Sequence, residues 1–338
     1  MPRIDIHHHF FPAAGLMKQR SVGWTLPPEN FPWTPAISLK FLADTGIDAA
    51  ILSIPAYSEG SVSPENRMVA RKHNEYAAEI CARHPGKFGF FANLPFLDDV
   101  EGALIEITYA FDVLHADGVG LSTTIGEGPN GSENLPSHGK KTPELAILSP
   151  GYLGDDKYDP IWEELNRRKA VVFVHGAQSP SSTPWPNKFL GLPVTEVPNE
   201  TYKAAAHLVV TGKKRRYSDV KIILSHMGGS TVILASRVAG LSPYMGCTLT
   251  PDEIMEDFKS FYFDTALASC ETNLIMIESF AQPDRLLFGT DFPVTTETTK
   301  WYTTHLERFY GEKEARLQEI VSKNALKLFP RFDSTVYV

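Results

Sequence analysis

The chain has 338 residues, of which 43% are hydrophobic and 21% charged, and this is sufficient for one large domain with a substantial core. Its net charge of −8 argues against a nucleic-acid binder, and the one short basic run, Lys213–Arg216, is interpreted as a solvated helix end. No apolar run reaches membrane-spanning length, and three widely separated cysteines (Cys81, Cys247 and Cys270) predict a reducing, cytoplasmic environment.

Short β-branched and aromatic runs recur along the chain, and most are followed by a segment with helical periodicity. Runs that are apolar at nearly every position are typical of parallel strands buried on both faces. Helical segments are predicted at 64–84, 100–115, 158–168, 200–214 and 230–240. The eight predicted strands cover residues 3–9, 49–54, 88–93, 118–122, 170–175, 221–226, 261–265 and 285–290.

Eight strands alternating with helices predict an α/β fold, a single (β/α)8 TIM barrel over residues 1–338. An open doubly wound sheet is the alternative, but it would usually show a glycine-rich turn after the first strand, where this chain has HHHFFP. Two segments rich in glycine, proline and serine, 123–157 and 176–199, are predicted as long loops. We expect the second to be a lid because it follows a strand that ends in His175.

Side chains that can bind a metal stand at the ends of four predicted strands. The first strand ends in the run HHH at 7–9, the fifth ends in His175 and the sixth in His226, and Asp291 comes directly after the eighth. In a barrel of this kind the carboxyl ends of all strands meet at one mouth, where active sites lie. We therefore expect these side chains to lie close together.

The alternation of side chains along a strand distinguishes the three consecutive histidines. His7 and His9 face the same side and His8 the other, so we expect a pair of ligands from the first two. His8 is expected to pack outside the barrel or to hydrogen-bond locally. Imidazole together with carboxylate suits Zn²⁺ or a similar divalent ion, and three histidines with one aspartate leave a coordination position open.

Longer motifs extend this pattern over almost the whole chain: IDIHHHFFP, VVFVHG, IILSHMGGS and LLFGTDFP follow one another in this order. With them the sequence resembles the amidohydrolase superfamily, within it the branch of aminocarboxymuconate-semialdehyde decarboxylase and the metal-dependent aromatic acid decarboxylases. The resemblance implies an amidohydrolase-type TIM barrel and a carboxy-lyase with one divalent metal. Zinc is the preferred ion and manganese the alternative. No organic cofactor is expected.

The resemblance also implies roles for individual residues. The metal ligands would be His7, His9, His175 and Asp291, and His226 would be the acid/base group beside the metal. Either Asp291 or His226 would deliver a proton to the substrate. Many hydrolytic members carry a carboxylated lysine on the fourth strand that bridges two metals, whereas the fourth strand here, GVGLS, has no lysine and favours a single ion.

Two arginine positions bear on the substrate. Arg237 lies eleven residues after His226, and in the muconate enzyme the matching arginine reaches the substrate of the partner subunit. The resemblance thus implies a homodimer with shared sites, with a surface ion pair as the alternative. The muconate enzyme has a second substrate-binding arginine near the segment matching 33–42, but this chain has none between Arg20 and Arg67. The difference predicts a substrate with one carboxylate and a more apolar body.

The resulting hypothesis is non-oxidative decarboxylation of an aromatic ortho-hydroxy acid of the salicylate type, such as 6-methylsalicylate. Hydrolysis of a lactone, ester or amide is the alternative because it uses the same ligands. The expected partner is a small aromatic acid, and neither nucleic acid nor a membrane. Arg237 and aromatic side chains near predicted strand ends would bind it, the latter being Phe10, Trp24, Tyr57, Trp185 and Phe292.

Overall fold

The structure is a computed structural model that describes residues 1–12, 27–55, 62–125, 151–177, 187 and 189–333. Ten strands occur in the described residues. Eight of them form one sheet, in which each strand is parallel to its neighbours, and the other two form a short antiparallel pair. The strands are β1 (Ile4–His9), β2 (Ala49–Ser53), β3 (Phe88–Asn93), β4 (Gly118–Ser122), β5 (Thr124–Ile125), β6 (Gly151–Tyr152), β7 (Val171–His175), β8 (Lys221–Leu224), β9 (Tyr262–Asp264) and β10 (Leu286–Leu287).

The sheet runs in the order β1-β2-β3-β4-β7-β8-β9-β10 and closes on itself through the residues after β10. The amide of Ile6 donates to the carbonyl of Phe288 at 3.0 Å, and the amide of Asp291 donates to the carbonyl of His7 at 2.8 Å. All eight barrel strands coincide with the eight predicted runs. The predicted (β/α)8 barrel is therefore confirmed.

Helices follow the strands and cover the outside of the barrel. The longest, α2, begins as the sequence predicts, with Pro64 in its first turn and the hydroxyl of Ser63 accepting the amide of Asn66 at 3.1 Å. No helix in the described part of the chain is long and apolar enough to cross a membrane. The helices are α1 (Pro35–Thr45), α2 (Pro64–Arg83), α3 (Val100–Asp112), α4 (Asp159–Arg167), α5 (Leu192–Val210), α6 (Lys213–Arg216), α7 (Thr231–Leu241), α8 (Pro251–Lys259), α9 (Glu271–Phe280), α10 (Glu297–Tyr310), α11 (Glu314–Gln318) and α12 (Asn324–Leu328).

Apolar side chains fill both faces of the sheet, which explains why the strand segments are apolar at nearly every position. One cluster occupies the barrel interior, where Phe91 and Phe173 stack with ring centroids 5.3 Å apart. A larger cluster lies between the sheet and the helices and includes Val172 of β7 and Trp162 of α4. The barrel wall is thus held by packing from both sides, and its strand ends are rigid supports for polar groups.

The prediction of a long loop at 176–199 is wrong for its last eight residues. Residues 192–199 form the first two turns of α5. Pro193 stands within the first turn, where the missing N–H leaves no helical hydrogen bond unmade, so a proline-rich segment can still begin a helix. The remainder of that predicted lid, 178–186, and most of the other predicted loop, 126–150, lie outside the described residues.

The interpretation of Lys213–Arg216 as a solvated helix end is wrong for its two lysines, whereas Arg216 is exposed as expected. Lys213 is 4% exposed and its ammonium donates to Asp156 at 2.7 Å. Lys214 is 7% exposed and lies over the ring of Phe261. Both side chains are buried by contacts with residues distant in sequence, which the basic run itself does not reveal.

Candidate metal centre

Three histidines and an aspartate converge at the carboxyl ends of the barrel strands. His7 and His9 come from β1, His175 ends β7 and Asp291 follows β10; all four are buried, and their ligand atoms lie within 4.8 Å of one another. A carboxylate oxygen of Asp291 is 2.9 Å from Nε2 of His9 and 3.2 Å from Nε2 of His7. The structure therefore brings together the four side chains that the sequence analysis assigns to the metal.

These donors fit a divalent cation. Nε2 of His175 is buried and has no hydrogen-bond partner among the described residues. Burying a polar atom without a partner costs free energy, and a bound cation would remove that cost. A tetrahedral ion with bonds of about 2.1 Å separates its donors by about 3.4 Å. The Nε2 atoms of His7 and His9 are 3.2 Å apart, close to that separation. Three imidazole nitrogens and one carboxylate form a donor set that suits Zn²⁺ and ions like it.

The other ring nitrogen of His7 is held by Asp264, at the end of β9. Nδ1 lies 2.8 Å from a carboxylate oxygen of Asp264, and both side chains are fully buried. With Nδ1 donating this bond, Nε2 is directed to the ligand cluster. Burial alone would lower the pKa of His7, but the charges of Asp264 and Asp291 and the hydrogen bonds to both raise it to about 10. A cation that binds here must displace that proton.

The remaining ligands are in the protonation states that a cation requires. Burial lowers the pKa of His9 and His175, and the charge of His7 adds to that effect. Burial would raise the pKa of Asp291, but the charge of His7 and hydrogen bonds from His7 and His9 outweigh it and hold the pKa well below its usual range. Two neutral imidazoles and one carboxylate are thus already present.

His226 lies beside the ligand cluster. Its ring centroid is 4.8 Å from that of His7 and 5.2 Å from that of His175. Its Nδ1 donates to the carbonyl of Ala266 at 3.0 Å, so Nε2 is the ring nitrogen that this bond does not engage. His226 is half-buried, whereas His7, His9 and Asp291 are at most 6% exposed.

The turn that carries His226 has a left-handed backbone. His226, Met227, Gly228 and Gly229 have φ values of 54°, 55°, 73° and 57°. The two non-glycine residues cost roughly 1–3 kcal/mol each in such a conformation, and strain of this kind clusters at functional sites. A Cβ on Gly229 would lie 2.0 Å from the carbonyl oxygen of Pro198, so the second glycine of the HMGG motif is required by close packing as well.

Asp264 is a functional residue that the sequence analysis missed. One carboxylate oxygen bonds His7, and the other accepts the amides of His226 at 3.0 Å and Ala266 at 2.9 Å. The signal was present, since the predicted strand FYFDT places an aspartate near its carboxyl end. It is the same signal that identified His175.

His8 faces away from the cluster, as predicted. Its Nδ1 lies 2.9 Å from a carboxylate oxygen of Asp5, and its Nε2 lies 2.8 Å from the hydroxyl of Ser38. Asp5 also accepts the amide and the hydroxyl of Thr290, at 3.0 Å and 2.6 Å. This buried network ties β1 to the turn that carries Asp291.

The sequence matches the amidohydrolase family model over residues 4–331. The chain belongs to the amidohydrolase family. This amidohydrolase is 38% identical to decarboxylase macB of Penicillium terrestre, over 98% of the chain and 96% of that protein. It is 36% identical to a 6-methylsalicylic acid decarboxylase of Penicillium expansum, over 98% of the chain and 97% of that protein.

Its fold is similar to that of dihydroxybenzoic acid decarboxylase from Polaromonas sp. JS666, solved with bound manganese and the inhibitor 2-nitroresorcinol. The TM-score is 0.76 at 24% identity, with 97% of each chain covered. Together with the close sequence relatives, the family match confirms the expected carboxy-lyase of the amidohydrolase superfamily. The hydrolytic alternative is not favoured by these relatives.

Of the residues predicted to bind substrate, Trp24, Tyr57 and Trp185 lie outside the described residues of this amidohydrolase. Phe10 and Phe292 are each 1% exposed and belong to the cluster between sheet and helices. Their neighbours there are aromatic, with Phe292 stacked on Phe41 at 3.9 Å and Phe10 beside Trp33 at 6.1 Å. The structure thus gives both phenylalanines a packing role in the barrel wall.

The last predicted substrate residue, Arg237, is exposed on α7. It forms no ion pair or hydrogen bond with another described residue, so the surface ion pair considered as an alternative is not present there. It lies between two exposed apolar side chains of the same helix, Ile233 and Leu241, which are 65% and 44% exposed.

Proposed function

We propose that this amidohydrolase decarboxylates an aromatic ortho-hydroxy acid of the salicylate type, with 6-methylsalicylate as the favoured substrate. The observation that carries the proposal is the buried cluster of three histidines and Asp291 beside a half-buried His226. The relation to a 6-methylsalicylic acid decarboxylase over nearly the full length of both chains supports this choice of substrate.

Loss of CO₂ from an aromatic ring has to avoid a bare aryl anion. Protonation of the carboxyl-bearing carbon, with electron density supplied by the ortho oxygen, first turns the ring into an electron sink. The carbon–carbon bond then breaks, its electron pair restores the aromatic ring, and CO₂ leaves. His7, His9, His175 and Asp291 would hold a divalent cation, which would supply a Lewis acid that withdraws charge from the bound acid.

The proton reaches the ring from a group of this chain. We propose that His226 holds it at Nε2 and renews it from solvent, because His226 is half-buried and its Nδ1 is engaged by Ala266. Asp291 contacts both His7 and His9, and its proposed part is to hold the cation next to His226. Asp291 is the alternative donor, but it is held as a carboxylate and would first have to take up a proton.

A single Zn²⁺ is the proposed native ion, because three imidazoles and one carboxylate suit it and β4 provides no lysine to bridge a second metal. Mn²⁺ is the alternative, since the structural relative from Polaromonas binds manganese. A cytoplasmic location belongs to the same proposal and is supported by three free cysteines, Cys81, Cys247 and Cys270.

We further propose a homodimer formed through α7. Ile233, Arg237 and Leu241 follow one another at intervals of four residues and so share one face of the helix. Tyr244 and Met245, just after the helix, are 85% and 86% exposed and extend that apolar surface. An exposed apolar patch of this kind is typical of a protein–protein interface, and Arg237 at its centre would reach the partner's substrate.

The test is mass spectrometry of the products after incubation with metal-free, Zn²⁺-loaded and Mn²⁺-loaded protein. We expect 3-methylphenol and CO₂ from 6-methylsalicylate, dependent on metal. We expect no reaction with 2-methylbenzoate, the matched acid that lacks the ortho hydroxyl. Cleavage of a lactone or an aryl amide, without loss of CO₂ from any salicylate, would make the protein a hydrolase.

A further inference from the structure

A polar depression lies at the amino-terminal end of the barrel, the end opposite to the metal centre. It has a volume of about 370 Å³ and is lined by residues of α6, by the first residues of β8 and β9, and by the turn before β10. Four cations line it: Lys214, Arg215, Lys221 and Arg285. Since the proposed metal ligands follow the carboxyl ends of the strands, the two sites are separated by the length of the barrel.

Lys214 is a buried cation that no described carboxylate contacts directly, although the charge of Asp257 partly offsets the effect of burial on its pKa. It is 7% exposed and forms no hydrogen bond or ion pair with any described residue; its ammonium lies 5.2 Å from the ring centroid of Phe261. Removing an unpaired ammonium from water is unfavourable, and burial lowers the pKa of Lys214 to about 8. At neutral pH the side chain therefore still holds its proton.

Two of the four lining cations are paired with acids, whereas the two lysines form no ion pair with a described residue. Asp257 is paired with Arg215 at 2.9 Å, so neither is available to Lys214. Lys221 forms no ion pair within the described part of the chain. Arg215 also pairs with Glu253 at 2.7 Å and Arg285 with Asp284 at 3.4 Å, so Lys214 and Lys221 are the lining cations that a bound anion could pair with.

Arg285 is held with part of its guanidinium free. The group lies 4.3 Å over the ring of Tyr262, and its Nε donates to Gln282 at 3.2 Å and lies 3.4 Å from Asp284. Its two terminal nitrogens have no partner among the described residues. They are the forked donors that bind oxyanions in two contacts.

We propose that this depression binds a phosphate group, either as inorganic phosphate or in a small phosphate ester. A phosphate matches the two lysines, Lys214 and Lys221, that form no ion pair with a described residue, and it supplies the buried ammonium of Lys214 with a directly bound counter-ion. Arg285 and Lys221 provide further charged donors, and the volume leaves room for a small ester. Binding to the folded state alone would raise thermal stability. The chemistry lies at the other end of the barrel, so the rate of turnover should be unaffected.

Calorimetric titration of the metal-loaded full-length protein with phosphate, at ionic strength kept constant with chloride, tests the proposal. We expect saturable binding of one phosphate, weakened at least tenfold in Lys214→Met and in Lys221→Gln. Lys259→Gln is the matched control, because it removes one exposed charge from the end of α8 outside the depression and should bind phosphate as the wild type does. Lys214→Met is expected to fold, since methionine fills similar space without a charge, and a melting curve verifies this.

Phosphate held by the active-site metal would survive Lys214→Met, so unchanged affinity in that variant would overturn the proposal. Absence of saturable binding of both phosphate and glycerol 3-phosphate to the wild type would overturn it as well. Tighter binding of glycerol 3-phosphate would identify an ester as the ligand, and tighter binding of phosphate the free ion. We expect Lys214→Met to decarboxylate at the wild-type rate. Loss of phosphate binding in this variant can then be distinguished from a failure of the proposed reaction.

Discussion

Asp264 connects the proposed metal ligands with the proposed acid/base residue. Its carboxylate bonds Nδ1 of His7 through one oxygen and the amide of His226 through the other. A carboxylate behind a ligating histidine fixes its tautomer and makes it more basic. The same contact holds His226 in its left-handed conformation. One side chain thus positions two groups that come from different strands.

Replacing Asp264 by asparagine should weaken metal binding by about 10- to 100-fold, because the partner of His7 loses its charge. The metal dissociation constant, measured by competition with a chelator, checks this. At saturating metal, any remaining loss of kcat reports on the placement of His226. Asp99→Asn is the matched control, a buried aspartate paired with Arg67 away from the site, and should leave metal affinity unchanged. An unaltered affinity in Asp264→Asn would assign Asp264 to folding alone.

His226 and Asp291 are expected to differ in what their removal does. His226→Asn should keep its metal and lose turnover by about 10²- to 10⁴-fold, the usual contribution of a general acid. Asp291→Ala should lower both metal content and rate. Metal analysis beside steady-state kinetics separates the two cases. Near-normal turnover by His226→Asn would transfer the proton-donating role to Asp291.

At the scale of elements, β1 departs from a regular strand where the site is built. Its pairing with β2 shifts between Asp5 and His8. Strict alternation would place Asp5 on the same side as His7 and His9. The shift instead lets Asp5 bond His8 and Thr290, so this carboxylate supports the turn before Asp291 and does not join the ligand cluster.

Lys214, on the short helix α6, makes the free energy of unfolding vary with pH in the alkaline range. The pKa of Lys214 falls from 10.5 to about 8 on folding, because burial disfavours the charge. Below pH 8 both states hold the proton and the full burial cost of about 3 kcal/mol remains. Between pH 8 and 10.5 the unfolded state binds more protons than the folded state, so stability rises with pH.

Denaturant unfolding in phosphate-free buffer at pH 7, 9 and 10 tests this dependence. Lys214→Met should be more stable than the wild type at pH 7, by up to about 3 kcal/mol, and the difference should shrink as the pH rises. Lys259→Gln, which changes an exposed lysine, should follow the wild type. A difference that is constant with pH would show that Lys214 does not titrate in this range.

At the scale of the whole molecule, the barrel presents three distinct surfaces. The carboxyl ends of its strands gather the proposed metal ligands, the amino ends form the cationic depression, and the outer face of α7 is apolar around Arg237. Only the first takes part in the proposed bond breaking. The α7 face is the proposed dimer contact, through which neighbouring sites would be shared.

Ile233→Glu should convert the proposed dimer into a monomer, because a carboxylate cannot be buried against an apolar partner without a large desolvation cost. Light scattering after size-exclusion chromatography measures the mass. Ile275→Glu is the matched control, an exposed isoleucine on α9, and should remain dimeric. Arg237→Ala should raise KM in the dimer. A wild-type protein that is monomeric at assay concentration would refute this arrangement.

The sequence by itself determined the barrel and most of the site. Apolar runs separated by helical segments are local features, and a parallel barrel brings the carboxyl ends of all its strands together. For this reason His7, His9, His175, His226 and Asp291 could be named from their positions at strand ends. The alternation along one strand was sufficient to set His8 apart from its neighbours.

Only the tertiary structure decided which side chains hydrogen-bond to the proposed ligands and which are buried at the other end of the barrel. Asp264 meets His7 across 257 positions of the chain. Lys214 is buried beside the ring of Phe261, and Phe10 and Phe292 lie against other aromatic rings. Burial and pairing depend on partners that are distant in sequence, so no local pattern encodes them. The end of a strand can be located from a local sequence pattern, whereas the neighbours of a buried charge depend on how distant segments pack.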